Sequence, residues 1–305
     1  MARGIAIAAM IAYHFFWDLS FLQLTPIKVT GEPAWNVFAR SIAGSFLALA
    51  GFGLALAHSE GFRRRAFLIR LVKVAGAALA VTLATLLAFP ESYIFFGILH
   101  AIAVGSVLAL PFLRAPLWLV LATAAACFAA PHLFKSPAFD HPLLDWLGLG
   151  SRDPLTNDYV PVFPWFGPVL IGLALGRTAL RRGETPAVAR WRAANPATRV
   201  LAWAGRRSLP IYLVHQPILL GILTAVLQIT GPNPQALSRS FVAQCTADCI
   251  RSNDNAALCG AACACVAQRL RDGGTFDSLR AASPTPADRT RISDAAQACL
   301  REAPP

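Results

Sequence analysis

Residues 35–57 read WNVFARSIAGSFLALAGFGLALA, a run in which Arg40, near its start, is the single charge. A helix of that length rises about 1.5 Å per residue and clears the roughly 30 Å of hydrocarbon in a bilayer. Working outward, runs of the same kind recur near residues 4–24, 66–89, 92–113, 115–131, 159–180 and 208–230. The expected fold is all-α, a polytopic transmembrane bundle of about seven spans followed by a small cysteine-rich helical tail. Charged breaks at His58–Arg65 and Arg181–Arg207 are clean, whereas Arg114-Ala115-Pro116 is a thin divider between the fourth and fifth spans. The chain is 56% hydrophobic and 14% charged, against roughly a quarter charged in a soluble domain. It has too little polar surface to cover itself in water. The run from Gly4 to Leu24 lacks a small-residue cleavage site and reads as a retained span.

The formal charge of +11 is unevenly placed. Residues 1–230 hold 19 Lys and Arg against 9 Asp and Glu, while residues 231–305 hold 8 against 7. Basic loops resist translocation and mark the cytoplasmic side. Arg63, Arg64, Arg65, Arg70 and Lys73 flank the second loop; Arg177, Arg181, Arg182, Arg190, Arg192, Arg199, Arg206 and Arg207 crowd the sixth. Glu32, Glu91, Asp140, Asp145, Asp153 and Asp158 dominate the odd loops. The N-terminus is therefore expected inside, in a bacterial inner membrane, with the C-terminus in the periplasm. Positive charge placed in this way argues against nucleic acid as a partner and for the lipid bilayer.

Two domains are expected, residues 1–230 in the membrane and residues 231–305 as the tail. Six of the seven cysteines lie in that tail: Cys245, Cys249, Cys259, Cys263, Cys265 and Cys299. An even number in a translocated segment suggests disulfides. Cys245/Cys249 and Cys259/Cys263 are each spaced i, i+4 and share a helix face, with Ser252-Asn253-Asp254-Asn255 as a turn between them. Antiparallel pairing would join Cys245 to Cys263 and Cys249 to Cys259, leaving Cys265 for Cys299, one of about 15 connectivities that six cysteines allow. A metal site is the rival, but CxxC spacing and tail histidines are absent; no metal is expected. Cys127, in span five, reads as a small core hydrophobe.

Ionisable groups inside spans are costly and begin as functional candidates. His14 and Asp18, in Tyr13-His14-Phe15-Phe16-Trp17-Asp18, stack one turn apart near mid-bilayer. A carboxylate beside an imidazole fixes its tautomer and supports its charged form, as a general base requires; the alternative is a structural polar pair. Arg40, His100, Trp165, His215 and Gln216 are candidates to bind substrate, the last two within Pro210-Ile211-Tyr212-Leu213-Val214-His215-Gln216-Pro217, where two prolines free backbone carbonyls. A P-loop, GxGxxG after a strand, HExxH, GxSxG and kinase signatures are all absent.

The ordered set formed by Arg3-Gly4-Ile5-Ala6, Tyr13-His14-Phe15-Phe16-Trp17-Asp18, Phe96-Gly97-Ile98-Leu99-His100, Pro164-Trp165-Phe166-Gly167 and Ile211-Tyr212-Leu213-Val214-His215-Gln216-Pro217 resembles bacterial proteins related to the heparan-alpha-glucosaminide N-acetyltransferase catalytic domain, over about residues 3–225. The resemblance implies a membrane acyltransferase that moves acetyl from cytoplasmic acetyl-CoA, a co-substrate and not a tightly bound cofactor, to a sugar or glycan acceptor at the outer side. Arg63, Arg64, Arg70 and Arg177 would then meet the CoA phosphates, though positive-inside topology alone also explains them. In the animal enzyme the position matching His14 is an asparagine and the active histidine follows in the adjoining outer region, whereas this chain has no histidine between His14 and His58. A catalytic role for His14 thus rests on its own chemistry. A small-solute transporter and a non-catalytic scaffold with a partner-binding tail are the alternatives, and a homodimer is left open.

Overall fold

The computed structural model describes residues 1–183, 194–253, 255–274 and 285–302; Arg190, Arg192 and Asp254 lie outside them. The described residues form eleven α-helices and no strand. They are α1 (Ala2–Phe21), α2 (Pro33–Ala57), α3 (Arg64–Ala88), α4 (Ile98–Leu108), α5 (Leu117–Leu133), α6 (Val162–Arg181), α7 (Pro196–Arg206), α8 (Ser208–Thr230), α9 (Pro234–Asn253), α10 (Ala256–Asp272) and α11 (Pro286–Glu302). Helices α1, α2, α3, α6 and α8 are long and apolar enough to cross a membrane. The most apolar window of α3 has a mean hydropathy of 2.0, yet only 11% of it is buried. Its outward Val72, Leu79 and Leu87 therefore need lipid as their solvent.

The expected fourth and fifth spans are shorter helices of 11 and 17 residues. Residues 92–97 are not helical, and their backbone is matched by a second irregular segment. Asn157 N–H donates to the Ser92 carbonyl (2.9 Å) and Val160 N–H to the Phe96 carbonyl (3.1 Å), while the Thr156 hydroxyl donates to the Tyr93 carbonyl (2.8 Å). Backbone groups unpaired in hydrocarbon cost several kcal/mol each, so irregular chain at that depth survives only where protein satisfies it. Apolarity alone reads residues 92–97 as span; the partner segment sixty residues away turns them into a loop.

Contacts divide the chain into two compact units. The first comprises residues 1–13 and 33–217. Its core holds Leu47 and Leu54 from α2, Val120 and Cys127 from α5, and Val169, Leu170 and Leu173 from α6. Glycines set how closely the helices approach. A Cβ on Gly51 would lie 1.9 Å from the Val169 carbonyl oxygen, and one on Gly172 at 1.9 Å from that of Ala48. These are small residues at a helix interface of the kind that lets backbones touch.

The second unit comprises residues 14–32 and 218–305, so the expected tail groups with the end of α1, its following loop and the end of α8. Asn233 N–H donates to the Gln23 carbonyl (2.8 Å), Gln23 Nε2 donates to Ser240 Oγ (3.0 Å), and Arg239 reaches the Pro26 carbonyl. The disulfides join Cys245 to Cys263, Cys249 to Cys259 and Cys265 to Cys299, with Cα separations of 5.8, 5.6 and 5.8 Å. This is the pairing that the i, i+4 spacing favours. Among the described residues no group of His, Cys, Asp and Glu could hold a metal ion.

Gly172→Ala is expected to lower stability in detergent by about 1–3 kcal/mol, because the added methyl meets rigid backbone. Gly76→Ala, in the middle of α3 with open space around it, should be neutral or stabilising through helix propensity. Thermal melts of the two variants against the native protein check this contrast.

Candidate active site

The first unit contains a cavity of about 560 Å³ between α1, α2, α3, α4, α7 and α8. Among the described residues, Arg3, Arg70, Lys73 and Arg206 line it and no acidic side chain does. Arg3 and Arg70 are close enough for each to feel the other's charge. Phe46 and Ala50 of α2, Ile69 and Val74 of α3 and Leu209 of α8 supply apolar wall, while Ile98, Leu99, Ser208 and Tyr212 complete the lining. Local structure explains the convergence. A Cβ on Gly4 would sit 1.9 Å from the Leu201 carbonyl oxygen, and one on Gly205 2.9 Å from Gly4 N. The start of α1 thus presses on α7, and both helices deliver an arginine to one space. Asn195 caps α7 by accepting from Thr198 N–H (2.9 Å).

A polar junction forms where α4 begins. Asp158 Oδ2 accepts from Ile98 N–H at 2.9 Å, an anion at a helix N-terminus. His100, three residues on, receives the Gly97 N–H at Nδ1 (3.3 Å) and meets Thr82 Oγ1 with Nε2 (3.2 Å). Thr82 in turn donates to the Ile94 carbonyl at 2.7 Å, so the ring is neutral at Nδ1 and its Nε2–H points to Thr82. A Cβ on Gly97 would lie 2.3 Å from Asp158 Oδ2 and 2.8 Å from Ile94 Cγ2, so a side chain there would displace the carboxylate. Desolvation pushes the Asp158 carboxyl from its ordinary 3.8 up to about 6, against the pull of the Ile98 N–H.

A sequence model described as heparan-alpha-glucosaminide N-acetyltransferase, catalytic, matches residues 1–217. The chain belongs to this family. No curated protein and no solved structure matches it. The family match encloses the cavity and the α4 junction, and its chemistry is membrane acetyl transfer.

Against that frame of helices the candidates from the sequence separate. Arg70 lines the cavity; Arg63, Arg64 and Arg177 do not. Arg63 and Arg64 are exposed, and Arg177 donates to the Phe112 carbonyl at 2.8 Å. His100 belongs to the α4 junction. His215 is buried, with Nδ1 at 2.6 Å from the Tyr212 carbonyl, and Gln216 follows it. Trp165 packs on the core and Arg40 is exposed. His14 and Asp18 lie on α1 in the second unit, Asp18 wholly buried. The residues that sequence reading passed over are Arg3, Lys73 and Arg206 as a convergent set, Thr82 and Asp158. Asp158 was visible only as one of the acids of the odd-numbered loops, and nothing in its spacing shows that it reaches α4.

Because the folded pKa of Asp158 is raised, the charged form is the less stable one in the fold. Stability is given up as pH rises from about 4 through about 6. Asp158→Asn, which keeps an acceptor for Ile98 N–H, should therefore raise the melting temperature relative to the native protein more at pH 8 than at pH 4. A melt series in detergent across that range measures the difference.

Proposed function

We propose that the protein is an integral membrane acetyltransferase that takes acetyl from acetyl-CoA and gives it to a sugar or glycan acceptor at the opposite face of the membrane. The observation that carries this reading is the cavity that, among the described residues, is lined by four cations and no acid. Topology requires basic loops on one side; it does not require Arg3, Arg70, Lys73 and Arg206, from three separate helices, to face one space. A nucleotide with several phosphates satisfies such a set, because arginines bind phosphate bidentately and lysine adds a point charge. The apolar wall suits the thin pantetheine arm, and the volume falls in the ordinary range for small-molecule sites.

In this reading the basic mouth faces the cytoplasm of a bacterial inner membrane and the cystine tail lies in the periplasm, which accords with the positive-inside rule and with disulfide formation. Acetyl-CoA is a co-substrate that comes and goes. The reaction breaks the thioester C–S bond and forms a new bond from the acetyl carbon to the acceptor.

Arg70→Gln should weaken CoA binding about 10- to 100-fold, the loss for one charge-assisted contact of roughly 1.5–3 kcal/mol. Arg63→Gln, whose native side chain is exposed outside the cavity, should change it less than threefold. Titration of the purified protein with CoA at two salt concentrations checks both, and affinity should fall as salt rises. Equal effects of the two variants would count against the cavity as the donor site.

A further inference from the structure

We propose that Asp158 is the acceptor-side carboxylate of this enzyme, binding the primary amine of the acceptor and taking its proton as acetyl is transferred. The proposal rests on the acetyltransferase reading above and adds the group that receives the acceptor. Asp158 is placed for that role by the chain segments around it. The amide it holds belongs to Ile98, and Ile98 also lines the cavity that bears the cations. Tyr212, a second lining residue, and Tyr13 of α1 both lie within reach of its charge. Asp158 arrives from the loop before α6, whereas Arg3, Arg70, Lys73 and Arg206 come from α1, α3 and α7. Ile98 thus joins the two features: it lines the cation-bearing cavity and holds Asp158 through its amide, which places the carboxylate beside that cavity at the start of α4.

The neighbouring groups leave this carboxylate as the base of its junction. His100 of α4 has its Nδ1 occupied by Gly97 N–H and its Nε2 by Thr82. The two tyrosines, from α1 and α8, can donate hydrogen bonds but do not ionise near neutrality. Only one oxygen of Asp158 is committed to Ile98 N–H, and a carboxylate accepts at both. Its titration near 6 leaves it ionised and still basic at pH 7 to 8, the range where a general base works best.

The step balances as follows. The acceptor arrives as an ammonium ion and gives one proton to Asp158. Its freed lone pair attacks the thioester carbonyl carbon; the C–N bond forms and the C–S bond breaks. The departing CoA thiolate takes the proton from Asp158, and the nitrogen releases one more proton to water to become the amide.

The test is acetyl transfer from labelled acetyl-CoA to glucosamine by the full chain in detergent, from pH 5 to 9, with Asp158→Asn, Asp158→Glu and His14→Ala beside the native protein. CoA binding is measured on each variant. We expect native transfer to rise as pH passes through about 6. Asp158→Asn should retain CoA binding within threefold and lose at least 100-fold in transfer, with that limb of the profile gone. Asp158→Glu should keep transfer in part and shift the limb, and this variant decides the matter if the asparagine form does not fold. A limb that persists in Asp158→Asn or stays unmoved in Asp158→Glu overturns the proposal, as does a limb abolished by His14→Ala alone. No transfer by the native protein removes the acetyltransferase reading and this proposal together, whereas transfer unaltered in Asp158→Asn removes only the proposal.

Discussion

The rest of the first unit depends on how an irregular stretch of backbone, residues 92–97, is satisfied inside an apolar protein. Ser92 to Phe95 are half-buried and Phe96 and Gly97 are buried, so their backbone groups need partners in the chain. The partners come from residues 156–160 and from α3: Asn157 and Val160 donate to Ser92 and Phe96, and Thr85 accepts from Ile94 N–H at 3.0 Å. Once this pairing is made, α4 cannot begin before Ile98. The shortened helix brings Ile98 and Leu99 to the cavity and sets its own N-terminus against Asp158. One backbone problem thus fixes a helix boundary, a wall of the cavity and the position of a carboxylate.

Close helix approach is the second constraint, and it acts through positions without side chains. Gly51 and Gly172 let α2 and α6 meet backbone to backbone, so that Phe46 and Ala50 hold a fixed place in the cavity wall. Gly4 and Gly205 do the same for α1 and α7 and bring Arg3 and Arg206 together. Dispersion and close packing must drive such contacts in lipid, because the hydrophobic effect offers little between two apolar helices already out of water. The α1–α7 contact thus holds Arg3 and Arg206 near each other without any help from charge.

Much of this was legible from sequence, for reasons that can be named. The long spans α1, α2, α3, α6 and α8 follow from uninterrupted apolarity, a property of each segment alone. The cystine pairing was legible because i, i+4 spacing puts two thiols on one face and leaves few antiparallel solutions. The loop at 92–97 was not, since Tyr93-Ile94-Phe95-Phe96 is as apolar as any span and its hydrogen-bond partners lie sixty residues on. The cavity was read in part: Arg70 was singled out by its basic neighbourhood, but Arg3 is an isolated residue at the N-terminus whose meaning depends on Gly4 touching α7. His100 was recognised as unusual, yet nothing in the sequence shows that its ring serves a helix start through Gly97 and Thr82. Convergence of distant residues is a property of packing, and local spacing carries no record of it.

The second unit follows a different physical logic. The family match ends at residue 217, and the first compact unit ends at that same proline. Beyond it, among the described residues, the tail helices pack around a small core of Val266, Ala267, Leu270, Ala295 and Cys299, with Cys259, Ala262 and Cys263 also buried, little for three helices to share. Three disulfides supply what the core lacks, each typically about 2–4 kcal/mol through restriction of the unfolded chain. Gln23 and Pro26, in the loop after α1, accept hydrogen bonds from Asn233 and Arg239, and so the stapled tail is fastened to the membrane part at a loop. A module that brings its own covalent stability can be appended to a membrane fold without asking anything of that fold's interior.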